Sequence, residues 1–317
     1  MLDPAGDIVH CDLQEAWFQP MGLSLRLLTN HATILATAAA TFGGFGLAQP
    51  VTSPEVTLRL FAHDVCDPAL REPVFHTQGA LIHHTTGHAS TLVADREQGL
   101  AWGYFSPTVL AQPAFFRYHF LELAFYIMLQ SRGLMAVHAS ACVKHGRALL
   151  FRAPSGGGKT TVAYAGARRR FQALADDVVW IDVHNQRWWG MPWWFHLLPD
   201  ARRLFPELAP LEPVLPIQGE LRLAVHLETI RPGSTTVSAR PGPVVLLRRR
   251  PGGPSQLTPL PFSAAKALWF ERWSGTETAF TDYDRYVDEL LRQHTYRLDL
   301  GNDIERGLEL LEPLFEV

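Results

Sequence analysis

The sequence predicts a mixed α/β protein in two domains, a smaller β-rich α+β domain over residues 1–110 and an α/β domain over residues 111–317. Three observations lead there. The 317 residues suit two domains of roughly 150 residues each. The first hundred residues read as short β-type segments separated by turn signals. Beyond residue 110, strand, glycine-rich loop and helix follow one another directly, as in folds that wrap helices around a mixed sheet.

In the first domain, Val56–Phe61, Gly79–His83 and Ser90–Ala94 carry strand patterns, and Ala36–Ala40 fits a short helix. Around Pro107 and Pro113 the period changes. Phe115, Phe116, His119, Phe120, Leu123, Tyr126, Ile127 and Gln130 recur at helical spacing, which predicts a helix over about 113–131 that Gly133 stops. Leu134–Val143 reads as one strand, Lys144-His145-Gly146-Arg147 as a turn and Ala148–Phe151 as the returning strand. A glycine-rich loop follows, then a helix over about 160–170, a short strand Phe171–Ala175 and a strand Val178–Ile181. Val244–Leu247 and Tyr296–Leu300 are further strands; 263–273, 283–293 and 303–314 are helices.

Composition excludes several classes. Lys and Arg number 28 against 31 Asp and Glu, a formal charge of −3, so bulk charge does not hold a polyanion and no nucleic-acid partner is expected. With 47% hydrophobic and 19% charged residues the chain has the balance of a soluble globular protein. Two apolar stretches are too polar to span a bilayer: Leu23–Leu47 contains Arg26, Asn30 and His31, and Phe115–Val137 contains Arg117, His119, Glu122 and Arg132. No membrane association is expected, and with an acidic N-terminus lacking a basic region ahead of an apolar run, the expected location is cytoplasmic. Cys11, Cys66 and Cys142 show no CxxC spacing, which argues against a disulfide framework and a structural zinc site.

The chemistry concentrates in Ala153-Pro154-Ser155-Gly156-Gly157-Gly158-Lys159-Thr160-Thr161. A phosphate loop needs glycines so that the backbone can curl, successive N–H groups at a helix start, a lysine for the β/γ-phosphates and a hydroxyl for Mg²⁺. Ser155, Gly156, Gly157, Gly158, Lys159, Thr160 and Thr161 meet those demands between a strand and a helix, although Ala153 stands where the full pattern has its first glycine. Lys159 is one of only three lysines, with Lys144 and Lys266. Asp176 and Asp177 lie 17 and 18 residues after Lys159 between apolar flanks. Adjacent carboxylates of this kind can divide metal binding and proton acceptance between them.

Four elements together resemble the HPr kinase/phosphorylase family of P-loop kinases: His138 on a strand, the hairpin at His145-Gly146-Arg147, the loop Pro154–Thr160, and Ala175-Asp176-Asp177-Val178. The resemblance implies the nucleotide fold shared with phosphoenolpyruvate carboxykinase, a mixed sheet with flanking helices, preceded by an accessory or substrate domain. It implies ATP and Mg²⁺ as cofactors. Lys159 and Thr160 then serve the nucleotide and metal, Asp176 is the base, Asp177 the metal-side ligand, and His138 lies near the phosphates. The glycine- and asparagine-bearing C-terminal signature of the phosphorylase reaction is not recognisable here, so the chain is more similar to divergent relatives encoded near peptide-modification genes. The implied activity is transfer of the γ-phosphoryl group to a serine of a peptide or protein. A small-metabolite hydroxyl kinase and a nucleotide-binding regulator that transfers nothing stay open, as does a homo-oligomer.

Other features have competing readings. Arg248-Arg249-Arg250 is a solvated strand end or a source of transition-state charge. Arg168-Arg169-Arg170 complements a helix C-terminus. Trp188, Trp189, Trp193 and Trp194 line a pocket or pack between strands, and His83, His84 and His88 read as a surface loop.

Overall fold

The computed structural model describes residues 13–214, 220–271 and 280–316. Cys11 and the end of the helix expected over 263–273 lie outside them. Packing divides the chain into Met1–Arg132 and Gly133–Val317. The change of unit falls later than the position near residue 110 expected from sequence, because the helical run 113–132 belongs with the first unit's aromatic core. There Phe105 meets Phe116 and Phe120 with ring centroids 4.9 Å apart, and Phe42 meets Phe125 at 5.2 Å.

In the first unit, strands β1 (Gln14–Phe18), β2 (Leu25–Thr29), β3 (Val56–Ala62), β4 (Val74–Gln78), β5 (Leu81–Thr86), β6 (Ser90–Asp95) and β7 (Leu100–Phe105) form one sheet in the order β1-β2-β3-β7-β6-β5-β4. β2, β3 and β7 run parallel and the remaining pairs antiparallel. Alternate residues such as Leu25 and Leu27, and Val56, Leu58 and Leu60, are fully buried, which gives the sheet one core face. On that face lie α1 (Ala32–Phe42) and the run comprising α2 (Pro107–Leu110), α3 (Pro113–Phe116), a π-helical stretch Arg117–Glu122 and α4 (Leu123–Leu129). Gly133, with φ +75°, follows the end of this run as expected.

His83 and His84 do not lie on a loop. Both sit on β5, and His84 is 2% exposed, with neither ring nitrogen hydrogen-bonded among the described residues. Its ring stacks on His119 and meets Phe75 and Phe120 edge-on. Burial first, then the neighbouring His119 and His83, lower its pKa from 6.5 to about 4.

The second unit contains β8 (Leu134–His138), β9 (Ser140–Lys144), β10 (Arg147–Arg152), α5 (Lys159–Ala167), β11 (Gln172–Ala175), β12 (Val178–Asp182), β13 (Arg187–Trp189), β14 (Trp194–Leu197), β15 (Leu223–His226), α6 (Leu227–Ile230), β16 (Ser238–Ala239), β17 (Val244–Arg249), β18 (Gln256–Pro259), α7 (Phe262–Trp269), α8 (Tyr283–Leu291), β19 (Thr295–Leu300) and α9 (Ile304–Leu311). Its main sheet is ordered β11-β9-β10-β17-β19-β18, with β10, β17 and β19 parallel. A four-stranded sheet β16-β13-β12-β8 and the pair β14-β15 complete it. Alternation along the central strands feeds two cores. Leu149, Phe151, Val245 and Leu247 pack with α5 and α9. Ala148, Leu150, Val244 and Leu246 pack with Trp188, Trp269 and α8. Burial on both faces makes these strands continuous apolar runs.

The single strand expected over Leu134–Val143 is two. The chain leaves the four-stranded sheet after His138 and enters the main sheet at Ser140. The partner segment does the converse: β11 pairs with β9 and β12 pairs with β8. The hairpin at His145 and Gly146 is a two-residue turn with φ of 52° and 72°, the left-handed pair that matches strand twist.

The neutral, buried His84 ties stability of the first unit to pH. An unfolded histidine gains its proton near 6.5 while the folded one resists until about 4, so the contribution is complete above 6.5 and declines as pH falls through that window. Thermal unfolding of the full chain between pH 7.5 and 4.5 should show this decline, and His84→Phe should flatten it. Equal slopes for both proteins would show that His84 is not the group responsible.

Candidate functional site: a glycine-rich loop and two aspartates

β10 delivers the chain into the glycine-rich loop, and α5 leaves it. Two glycines bend the loop with left-handed backbone, Gly156 at φ +74° and Gly158 at +97°. Gly158 is the N-cap of α5 and, having no side chain, brings no capping group to the amides of the first helical turn. Gly157 donates to the Pro154 carbonyl at 2.9 Å, and a Cβ there would lie 2.5 Å from the Ala153 methyl. Ala153, the departure from the full pattern, is therefore accommodated by the absence of a side chain at Gly157.

Lys159 is buried, and its Nζ donates to the Ala153 carbonyl at 2.9 Å. The ammonium is thus folded back onto its own loop, where an incoming phosphate would meet it. α5 is held rigidly: Val162 to Ala167 are all buried. The three arginines at its C-terminal end are structural, as expected. Arg168 pairs with Glu207, Arg169 with Glu305 at 3.0 Å, and Arg170 with Glu312 at 3.0 Å. Behind the helix, burial pushes the Cys142 thiol well above its ordinary range, which makes it a packing group rather than a nucleophile.

The aspartates sit where the chain crosses from one sheet to the other, between β11 and β12. Ala139 N–H donates to the Asp177 carbonyl at 2.9 Å, and Ser140 Oγ donates to the Asp176 carbonyl, so each crossing segment fixes the other. Adjacent residues then face different surroundings. Asp176 is 7% exposed; its Oδ2 accepts from the His196 backbone N–H at 2.9 Å, and its Oδ1 is buried with no hydrogen-bond partner among the described residues. Asp177 is exposed, and its Oδ1 lies 3.1 Å from His138 Nδ1. Each aspartate therefore has its own histidine, His196 on β14 or His138 at the end of β8.

Two cavities share the wall formed by Gly156, Gly157 and Arg249. One, of about 250 Å³, runs along Lys159, Thr160 and Thr161 to His196, Asp200 and Arg222. The other, of about 660 Å³, is lined by Ser155, His138 and Arg152, with Arg248, Arg297 and Trp269. The loop residues and His138 are thus brought around one seam, while Asp176 and Asp177 are connected to it through His196 and His138. Sequence reasoning missed His196, Arg152 and Arg297. Arg152, the last residue of β10 immediately ahead of the loop, was within reach of a positional argument; the other two come from distant strands. Of the tryptophans, Trp188 is 1% exposed in the core, and Trp194 stands exposed on β14 beside His226, outside both cavities.

Whether these residues suit Mg²⁺ and a nucleotide can be judged from the loop. Its left-handed glycines, the side-chain-free Gly157 and the start of α5 at Gly158 form a concave turn whose shape suits phosphate oxygens, and Asp176 Oδ1, without a hydrogen-bond partner among the described residues, is an oxygen able to take a proton or a cation. Among the described residues no three His, Cys, Asp or Glu side chains cluster as a metal cage. Mg²⁺ bound with phosphates takes only one or two carboxylates, so Thr160 and Asp177 remain suitable donors. The residues fit the group.

No family model matches the chain, and no curated protein matches it. Among solved structures, the chain is similar to the Hpr(Ser) kinase/phosphatase from Coxiella burnetii, at 11% identity and a TM-score of 0.29 over 57% of this chain and 87% of that one. Among the described residues, no helix is long and apolar enough to cross a membrane.

The cradle leads to a test of its own. Gly157→Ala forces a methyl against Ala153 and the Pro154 carbonyl, 2.5 and 2.9 Å away. Nucleotide affinity should fall at least tenfold, or about 1.4 kcal/mol, measured by calorimetric titration with ATP. Gly146→Ala, also at positive φ but with open space around its Cβ, should leave affinity unchanged.

Proposed function

We propose that this protein is an ATP- and Mg²⁺-dependent kinase that transfers the γ-phosphoryl group to a hydroxyl, a serine of a peptide or protein. The observation that carries this reading is the cradle of Gly156, Gly157 and Gly158 at the start of α5, with Lys159 folded into it and two aspartates of unlike environment anchored at the adjoining sheet crossing.

The chemistry follows from placement and charge. Backbone amides from Ser155 to Lys159 orient the β- and γ-phosphates, and the Lys159 ammonium exchanges its carbonyl partner for phosphate oxygens. The acceptor oxygen forms a bond to the γ-phosphorus as the bond to the β-bridging oxygen breaks, and ADP departs. The hydroxyl proton passes to Asp176, whose Oδ1 has no competing donor and whose Oδ2 is steadied by the His196 N–H. Thr160 and Asp177 would hold Mg²⁺, which supplies charge neutralisation of the phosphates when bound. His138, 3.1 Å from Asp177, orients that carboxylate.

Label transfer from γ-labelled ATP to serine-containing peptides tests the reading. Lys159→Ala should lose both ATP binding and transfer. Asp176→Asn should keep ATP binding within a few-fold while transfer falls about 10²–10⁴-fold, the range expected for loss of a general base. Wild-type transfer by Asp176→Asn would remove Asp176 from the role of base. Saturable ATP binding with no transfer to any acceptor would favour the nucleotide-binding regulator instead.

A further inference from the structure

The larger of the two cavities carries a charge that the chain as a whole lacks. The protein has a formal charge of −3. Yet the 660 Å³ cavity is lined by Arg152, Arg248, Arg249 and Arg297 against a single described carboxylate, Glu271. These guanidiniums arrive from different strands: Arg152 ends β10, Arg248 and Arg249 end β17, and Arg297 lies on β19. The parallel pairing of the three strands brings them to one end of the sheet.

Their states differ in a way that bears on use. Arg152 is buried, stacked 4.2 Å over the Trp269 ring, and donates to the carbonyls of His138 and Trp269. Arg297 is braced by the buried Asp299 at 2.9 Å. Arg248 and Arg249 are exposed and form no ion pair among the described residues. Successive side chains on a strand point to opposite faces. Both line the larger cavity, but Arg249 also touches the smaller one and can serve the nucleotide's phosphates at the shared wall, whereas Arg248 lines the larger cavity alone. A concave site of one sign focuses the field on an entering ligand, and arginine forks match carboxylates and phosphates two bonds at a time.

Resting on the kinase reading above, we propose that the acceptor is anionic: its hydroxyl is flanked by carboxylate or phosphate groups that Arg248 and Arg297 hold in the larger cavity, beside His138. An acidic peptide bearing a serine supplies that chemistry, and so does a small hydroxy acid or hydroxylated phosphate ester. The phosphoryl transfer itself is the step already written, with the acceptor's anions taking no part in bond making.

Binding separates this inference from the kinase reading. Fluorescently labelled Glu-Glu-Ser-Glu-Glu, Gln-Gln-Ser-Gln-Gln and Lys-Lys-Ser-Lys-Lys peptides would be titrated into the full protein by anisotropy, with ATP binding measured separately by calorimetry. The acidic peptide, or glycerate or glycerol 3-phosphate as its unlabelled competitor, should bind at least tenfold more tightly than the neutral counterpart (glycerol for the small compounds). The preference should shrink with rising salt. Arg248→Gln should reduce it about tenfold and Arg248→Glu should transfer it to the basic peptide, both with unchanged ATP affinity. Preference for the acidic peptide over the small anions assigns the acceptor to peptides, and the reverse assigns it to small molecules. Equal binding of all three peptides and no binding of the small anions would overturn the proposal. So would a loss of ATP affinity in Arg248→Glu, which would give the arginines to the nucleotide. A protein that binds the acidic peptide but no ATP would instead overturn the kinase reading and leave the anion site standing.

Discussion

The second unit depends on a pair of chain crossings made at the same place. One segment passes between two sheets at Ala139 and the other at Asp176 and Asp177, and the Ala139 amide and Ser140 hydroxyl fasten each crossing to the other's carbonyls. Leaving a sheet exposes backbone donors and acceptors that burial would penalise, and this mutual pairing satisfies them. The same bonds decide where the two carboxylates go. Without the crossing, Asp176 and Asp177 would be successive residues of one strand; with it, one is buried against His196 and the other faces outward to His138.

Rigidity accumulates around that point. Glycines shape the loop, but the helix it feeds is enclosed on nearly every side, and its last turn is tied by three arginines to acids from two other segments. For the kinase proposed above, the loop's amides must be aimed before a phosphate arrives, and the burial of the helix serves that requirement. The buried Trp269 has a similar role toward Arg152, fixing the guanidinium plane by stacking and through its own carbonyl.

The strand–loop–helix shape of the glycine-rich segment was readable from the sequence because its physics is local. Three consecutive glycines, a lysine and a threonine between an apolar strand and a helix admit few conformations, and the turn at His145-Gly146 is an equally local statement. What was not readable depends on distant partners. Leu134–Val143 is a mostly apolar run, and the polar pair His138 and Ser140 that flanks Ala139 is compatible with one continuous strand, so local pattern alone did not show the change of sheet there. His196 reaches Asp176 only because β14 pairs with β15 and lies against α5. His84 belongs to the polar run His83-His84-Thr85-Thr86, whose pattern gives no hint that one histidine lies sealed among aromatic rings. The long helix was foreseen from its periodicity, but its membership of the first unit follows from ring contacts with Phe42 and Phe105 that no local pattern announces.

The position of β19 has a bearing on how the chain matures during synthesis. This strand is interior to the main sheet, seated between β17 and β18, yet it is made some 45 residues after β17 is complete. At ribosomal rates of about 5–20 residues per second, the finished glycine-rich loop and its flanking strand β17 would wait several seconds with one edge unpaired and Val245 and Leu247 lacking their neighbour Leu298. Until β19 emerges, β17 therefore presents an open, apolar strand edge on which a foreign strand can pair, and that exposure ends only when β19 takes its place in the sheet.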